Sequence, residues 1–167
     1  MPEAIQNRIK QSLHEAAALY HRLVLLVGET GSGKTAALRT VGGELGADVI
    51  NVNLTLSAKL IELTERQRVL HLSTLLGEVL EKAGSVALLD NTEILFDRDL
   101  KQDPLRLLQG LSRKCSIVAS WNGRLAGDKL TYADAGHPEY RAYDRAEALI
   151  VDMNGTSGHE PQERRQA

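Results

Sequence analysis

The sequence predicts an α/β fold of three layers, a five-stranded, mostly parallel sheet with helices on both faces. Three observations predict it. Apolar runs of strand length alternate with amphipathic stretches of helical spacing, the pattern of successive βαβ units. The first run, "LVLLV" (Leu23 to Val27), is apolar at every position, as in a strand buried on both faces. It passes directly into a glycine-rich turn, and a helix-forming stretch follows.

Taken in chain order, the elements are these. "EAIQNRIKQSLHEAAALYHR" places Ile5, Ile9, Leu13, Ala16, Ala17 and Tyr20 at helical spacing, so an amphipathic helix packs on the domain. Leu23 to Val27 forms the first strand, ended by Gly28. "KTAALRTVGGELG" forms a helix that Gly46 stops. "DVINVNL" alternates apolar and polar residues and reads as the second strand. Residues 58–83 are helical with one break, and Ser85 to Asp90 is the third strand. "DPLRLLQGLSRK" is a helix with Pro104 in its first turn.

"CSIVAS" is the fourth strand, ending at Ser120. Residues 121–146 read as irregular, with a short helix near Glu139 to Arg145, and "EALIVDM" is the fifth strand. From Asn154 the chain offers no apolar anchor, so residues 1–153 form one domain and 154–167 a disordered tail. About a dozen residues follow the fifth strand, so no C-terminal helical lid is expected.

The 167 residues suit one domain, and 43% hydrophobic against 25% charged residues is the balance of a globular core. With aromatics at 4%, that core is built from Leu, Val, Ile and Ala. A net charge of −2 gives no general attraction to nucleic acid or an acidic membrane, so DNA binding has no support from charge. Cys115 stands alone and reads as a small buried residue beside a strand. No signal peptide or membrane span is visible, which predicts a cytoplasmic protein.

The stretch "GETGSGKT" fits G-x-x-x-x-G-K-[ST], with Gly28, Gly33, Lys34 and Thr35 at the defining positions. Chance produces such a match in roughly 1% of chains this long. Gly28, Gly31 and Gly33 allow backbone turns with φ > 0 and leave the N–H groups open to phosphate oxygens. The residues around the phosphates are then Gly28, Glu29, Thr30, Gly31, Ser32, Gly33, Lys34, Thr35 and Ala36. Lys34 reaches the β- and γ-phosphates, and the Thr35 hydroxyl ligates Mg²⁺. Asp90, at the carboxyl end of a buried strand, is the second metal residue, as a Walker-B aspartate is.

Hydrolysis needs a group that orients or deprotonates water. A Glu usually follows the metal Asp in ATPases with an extra strand between the loop strand and the metal strand. Here Asn91 stands in that place and Glu93 is the nearest carboxylate. Glu93 is the candidate base; Asn91 would otherwise position water for slow turnover. Ser120 and Asn122, at the end of the fourth strand, are candidates to contact the γ-phosphate. Trp121 packs half-buried or meets a base or partner. Arg98, Arg124, Arg141 and Arg145 are expected near or beyond the sheet's carboxyl edge, and Arg141 is the preferred arginine finger, given to a neighbouring subunit. His137 has no set of partners for zinc.

"DVINVNL", lying between the loop and "SVALLD", points to the ATPase arrangement rather than that of small-molecule kinases, which pair the loop strand with the metal strand. No Arg-rich kinase lid and no guanine-reading N-K-x-D motif are present. The whole resembles the AAA+ core. Three readings stay open: an ATPase, a nucleotide-gated adaptor with little hydrolysis, and a small-molecule kinase.

A more specific resemblance lies in "LLDNTEILFDRDLKQDPLRLLQGLSRKCSIVASWNGRLAGDKLTYADAGHPEYRAY". With "GETGSGKT", it resembles the BrxF family, the P-loop proteins of type 3 BREX phage-defence systems, over residues 4–153. The resemblance implies a bacterial cytoplasmic ATP- and Mg²⁺-binding component of a multi-protein restriction machine. Its partners would be further copies of itself, as a homo-oligomer, or other BREX proteins. Lys34, Thr35 and Asp90 carry over as ATP and Mg²⁺ residues because they match the motif position by position.

Overall fold

Both faces of the first strand are apolar, and the sheet is assembled around it. In β1 (Leu23–Gly28), Leu23, Leu25 and Val27 join one core cluster while Val24 and Leu26 join the other; all five are fully buried. The structure, a computed structural model, describes residues 4–154, so the expected tail lies, beyond Asn154, outside the described residues. Helices α1 (Ile5–Ala16) and α2 (Lys34–Leu45) cover one face through Ile9, Leu13, Leu38 and Val41. Helices α3 (Val52–Leu60), α4 (Glu65–Glu81) and α5 (Pro104–Leu111) cover the other. Cys115 is buried in this second cluster, and burial pushes its thiol pKa up.

The remaining strands are β2 (Val49–Asn51), β3 (Val86–Asp90), β4 (Ser116–Ala126), β5 (Lys129–Tyr132), β6 (Arg141–Asp144) and β7 (Leu149–Asp152). Four of them join β1 in a parallel sheet of order β2-β3-β4-β1-β7. An extra strand does separate β1 from β3, the strand that ends at Asp90, but it is β4. The expected intervening strand, β2, lies at the outer edge instead. It is also shorter than "DVINVNL", because Asn51 turns its side chain to accept from the Leu54 N–H at 3.0 Å and caps α3. Helix α1 ends at Ala16, before the expected Ala17 and Tyr20; Tyr20 is 67% exposed.

The larger correction concerns residues 121–146. Strand β4 runs six residues past Ser120, turns at Gly127 (φ 60°) and Asp128, and returns antiparallel as β5, with β6 beside it. No helix forms near Glu139 to Arg145. This arm folds onto the α5 side of the sheet. Phe96 stacks on Tyr132, and Trp121 meets Phe96, Tyr132 and Tyr143 edge-on. Tyr143 donates to Asp103 at 2.9 Å, the residue that caps α5. The "LTYADAGHPEY" run thus begins in the core, with Leu130 and Tyr132 buried, instead of lying wholly in an irregular segment.

Gly123 makes the close approach on which the arm depends. A Cβ there would lie 1.7 Å from the Thr131 carbonyl oxygen. Gly123→Ala is therefore expected to destabilise the fold by about 3 kcal/mol, the upper end for overpacking. Urea unfolding followed through Trp121, the sole tryptophan, measures it.

Candidate functional site

The loop between β1 and α2 takes its shape from Gly31 (φ 83°) and Gly33 (φ 100°), where a side chain would be strained. Gly28 is needed for space instead of turning: its φ is not positive, and a Cβ would fall 2.5 Å from Ser32 Oγ and 2.9 Å from Met153. Gly33 occupies the N-cap of α2, and no side chain caps that helix. Helices α3, α4 and α5 are closed by Asn51, Thr64 and Asp103. The N–H groups of Lys34, Thr35 and Ala36, in the first turn of α2, have no acceptor within their own helix. With the positive end of the helix dipole, they form an anion seat.

Lys34 turns back into this loop. Its ammonium donates to the carbonyls of Gly28 at 2.8 Å and Glu29 at 2.9 Å, with Ser32 Oγ at 3.5 Å. Thr30, between these residues and Gly31, is exposed at the rim. Burial lowers the Lys34 pKa from 10.5, against the opposing pull of Glu93, Asp90 and Glu29. A base whose pKa falls on folding costs stability while protonated, so stability rises with pH between the folded value and 10.5. A phosphate held beside Lys34 would restore the charge. ATP binding is thus expected to take up protons in the alkaline window below 10.5, which calorimetry in buffers of different ionisation enthalpy detects.

Asp90 is buried, and its Oδ2 accepts from Thr35 Oγ1 at 2.6 Å. The two hard oxygens converge beside the anion seat. Among the described residues no group of three or more His, Cys, Asp and Glu side chains is placed to hold a metal. A hydroxyl and a carboxylate alone fit Mg²⁺, which takes few protein ligands and completes its shell with phosphate and water.

The register of β4 on β1 places Asn122 opposite Gly28, level with the loop. Ser120 lies opposite Leu26, deeper in the sheet, is buried, and uses its carbonyl to accept from Thr92 Oγ1 at 2.7 Å. Of the two candidates, Asn122 is therefore the one at the edge. Its amide donates to Glu93 Oε2. Asn91 adopts the left-handed conformation (φ 52°), and its carbonyl accepts from the Asn53 N–H. That turn starts the 3-10 segment Thr92–Phe96 and aims Glu93 towards Asn122. The pairing spans 29 residues of sequence, and no local pattern announces it.

The four arginines separate. Arg141 donates to the Gln102 carbonyl at 2.8 Å. Arg145, 3.7 Å from Asp128 at the arm's tip, leads towards the amino end of β7 and so is not at the carboxyl edge as expected. Arg98 is exposed in the second 3-10 turn, Arg98–Leu100. Arg124 pairs with Glu29 of the loop at 2.8 Å. Trp121 is fully buried, donating to the Thr131 carbonyl at 3.0 Å, so it is closed to a base or partner. His137 Nδ1 accepts from the Glu139 N–H. A cleft of about 540 Å³ opens elsewhere, between Tyr20, His21, Leu125 and Arg145, and includes no loop residue.

Among solved structures, the chain is similar to that of C. elegans PCH-2, with a TM-score of 0.50 and 17% identity over 92% of this chain and 42% of that one. It is also similar to AMPPCP-bound DnaA from Aquifex aeolicus, with a TM-score of 0.47 and 16% identity over 88% and 44% of the two chains. The chain thus spans less than half the length of either. No protein-family model and no curated protein matches it. At this identity the PCH-2 likeness concerns the fold, and it agrees with the mostly parallel sheet covered by helices on both faces. Among the described residues no helix is long and apolar enough to cross a membrane.

Proposed function

We propose that this chain is an ATP-binding P-loop protein and a Mg²⁺-dependent ATPase, working as an oligomer or with other components of a BREX anti-phage defence system. One observation carries the nucleotide reading. The uncapped N-terminus of α2, the inward-turned Lys34 and the Thr35–Asp90 pair converge on one spot. The defence-system reading rests on the "DNTEILF" and "GHPEY" runs.

Lys34 and the N–H groups of the first α2 turn hold the β- and γ-phosphates. Thr35 and Asp90 hold Mg²⁺, which supplies charge neutralisation for the leaving diphosphate. Glu93 accepts a proton from water as the water oxygen bonds to the γ-phosphorus. The bond from that phosphorus to the β–γ bridging oxygen breaks, and ADP and phosphate leave. Asn122 orients the Glu93 carboxylate for this step. The finger arginine, Arg141 in our reading, comes from a neighbouring subunit and must first leave Gln102.

A second reading, the nucleotide-gated adaptor, is favoured by a specific contact. Asn122 holds Glu93, and Asn91 stands where a base usually follows the metal aspartate. Turnover per subunit, measured across a wide protein concentration with Lys34→Ala as the blank, separates the two. A rate that climbs with concentration supports the oligomeric ATPase. A flat rate near the blank with ATP still bound supports the adaptor. Absence of both binding and turnover overturns the proposal.

A further inference from the structure

We infer that Arg124 is a γ-phosphate-reading residue supplied in cis, parked on Glu29 when the loop is empty; the inference rests on the nucleotide reading above. In β4, residues of one parity share a face, so Arg124 stands one step beyond Asn122 on the same side. Asn122 is level with Gly28, the last residue of β1, and Glu29 is the first of the loop. Arg124 and Glu29 each follow closely on that level pair, and their side chains meet at 2.8 Å.

The pair is easily exchanged. Its side chains are 62% and 61% exposed, and an exposed ion pair of this kind contributes little. ATP brings a triphosphate of high negative charge to the same loop, and the guanidinium fork matches phosphate as well as carboxylate, so the more highly charged group takes it. Among the four candidate arginines, Arg124 is the one whose contact lies on the loop itself. The pair therefore works as an exchange: Glu29 holds the guanidinium until the third phosphate takes it. ADP, lacking that phosphate, leaves Arg124 on Glu29.

The test compares ATP and ADP affinities, with Mg²⁺, for the full chain and three variants. Arg124→Ala is expected to weaken ATP about tenfold and ADP less than twofold, with Arg124→Lys between it and the wild type. Glu29→Gln, which frees the arginine, is expected to raise ATP affinity relative to ADP affinity. Equal weakening of ATP and ADP in Arg124→Ala, or a ratio of ATP to ADP affinity that Glu29→Gln leaves unchanged or lowers, would mean that the pair merely braces the loop and overturns the inference. Unchanged ATP affinity in Arg124→Ala overturns it too. A wild-type chain that binds neither nucleotide removes the nucleotide reading itself, and this inference with it.

Discussion

Lys34→Ala is expected to weaken ATP binding by at least about 100-fold while the chain remains folded. A hydrogen bond to a charged group contributes about 1.5–3 kcal/mol. Two such contacts, to the β- and γ-phosphates, give about 3–6 kcal/mol, or roughly 10²–10⁴-fold. The effect on folding is much smaller, because two terms oppose each other. The substitution removes bonds to the Gly28 and Glu29 carbonyls but also removes a charge whose pKa burial lowers. Equilibrium titration with ATP, beside circular dichroism of the variant, checks both halves. Binding within threefold of wild type would show that the loop does not grip phosphate through Lys34.

Glu93→Gln gives the second large effect, on turnover instead of binding. Glutamine keeps an oxygen to accept from Asn122, so the local geometry survives. It cannot take the proton of the attacking water, and loss of a general base costs typically 10²–10⁴-fold. A fall of at least about 100-fold in phosphate release is expected. ATP affinity should hold or rise, because the substitution removes a negative charge beside the phosphates. If Glu93→Gln hydrolyses as fast as wild type, the base lies elsewhere.

What the sequence revealed follows from how local each cause is. The loop was legible because its geometry demands particular residue types in a row: Gly31 and Gly33 for positive φ, then Lys34 and Thr35 on the first turn of a helix. Strand β1 was legible because burial on both faces leaves no polar position. The short strand β2 was overread because V-I-N-V-N-L alternates whether Asn51 is a strand residue or a helix cap. The arm does have a local signal. Gly127 and Asp128 separate two alternating runs, "SWNGRLA" and "KLTY", a two-residue hairpin pattern.

Strand order was the least legible. Nothing in the order of segments along the chain says that β4, which begins at Ser116, lies between β1 and β3. That placement brings Asn122 level with Gly28 and so creates the Asn122–Glu93 and Arg124–Glu29 contacts. Residue types suggested Asn122, Glu93 and Arg124 separately; only the sheet makes them partners. Arg145 shows the converse, since a plausible arginine is carried by the arm to the amino end of the sheet.

The most direct test of the central claim is a calorimetric titration of the full chain with ATP, once with Mg²⁺ and once with EDTA. The account predicts one ATP bound per chain, with affinity markedly weaker in EDTA because Thr35 and Asp90 then have no metal to hold. No binding in either buffer, or saturable binding indifferent to Mg²⁺, would contradict it.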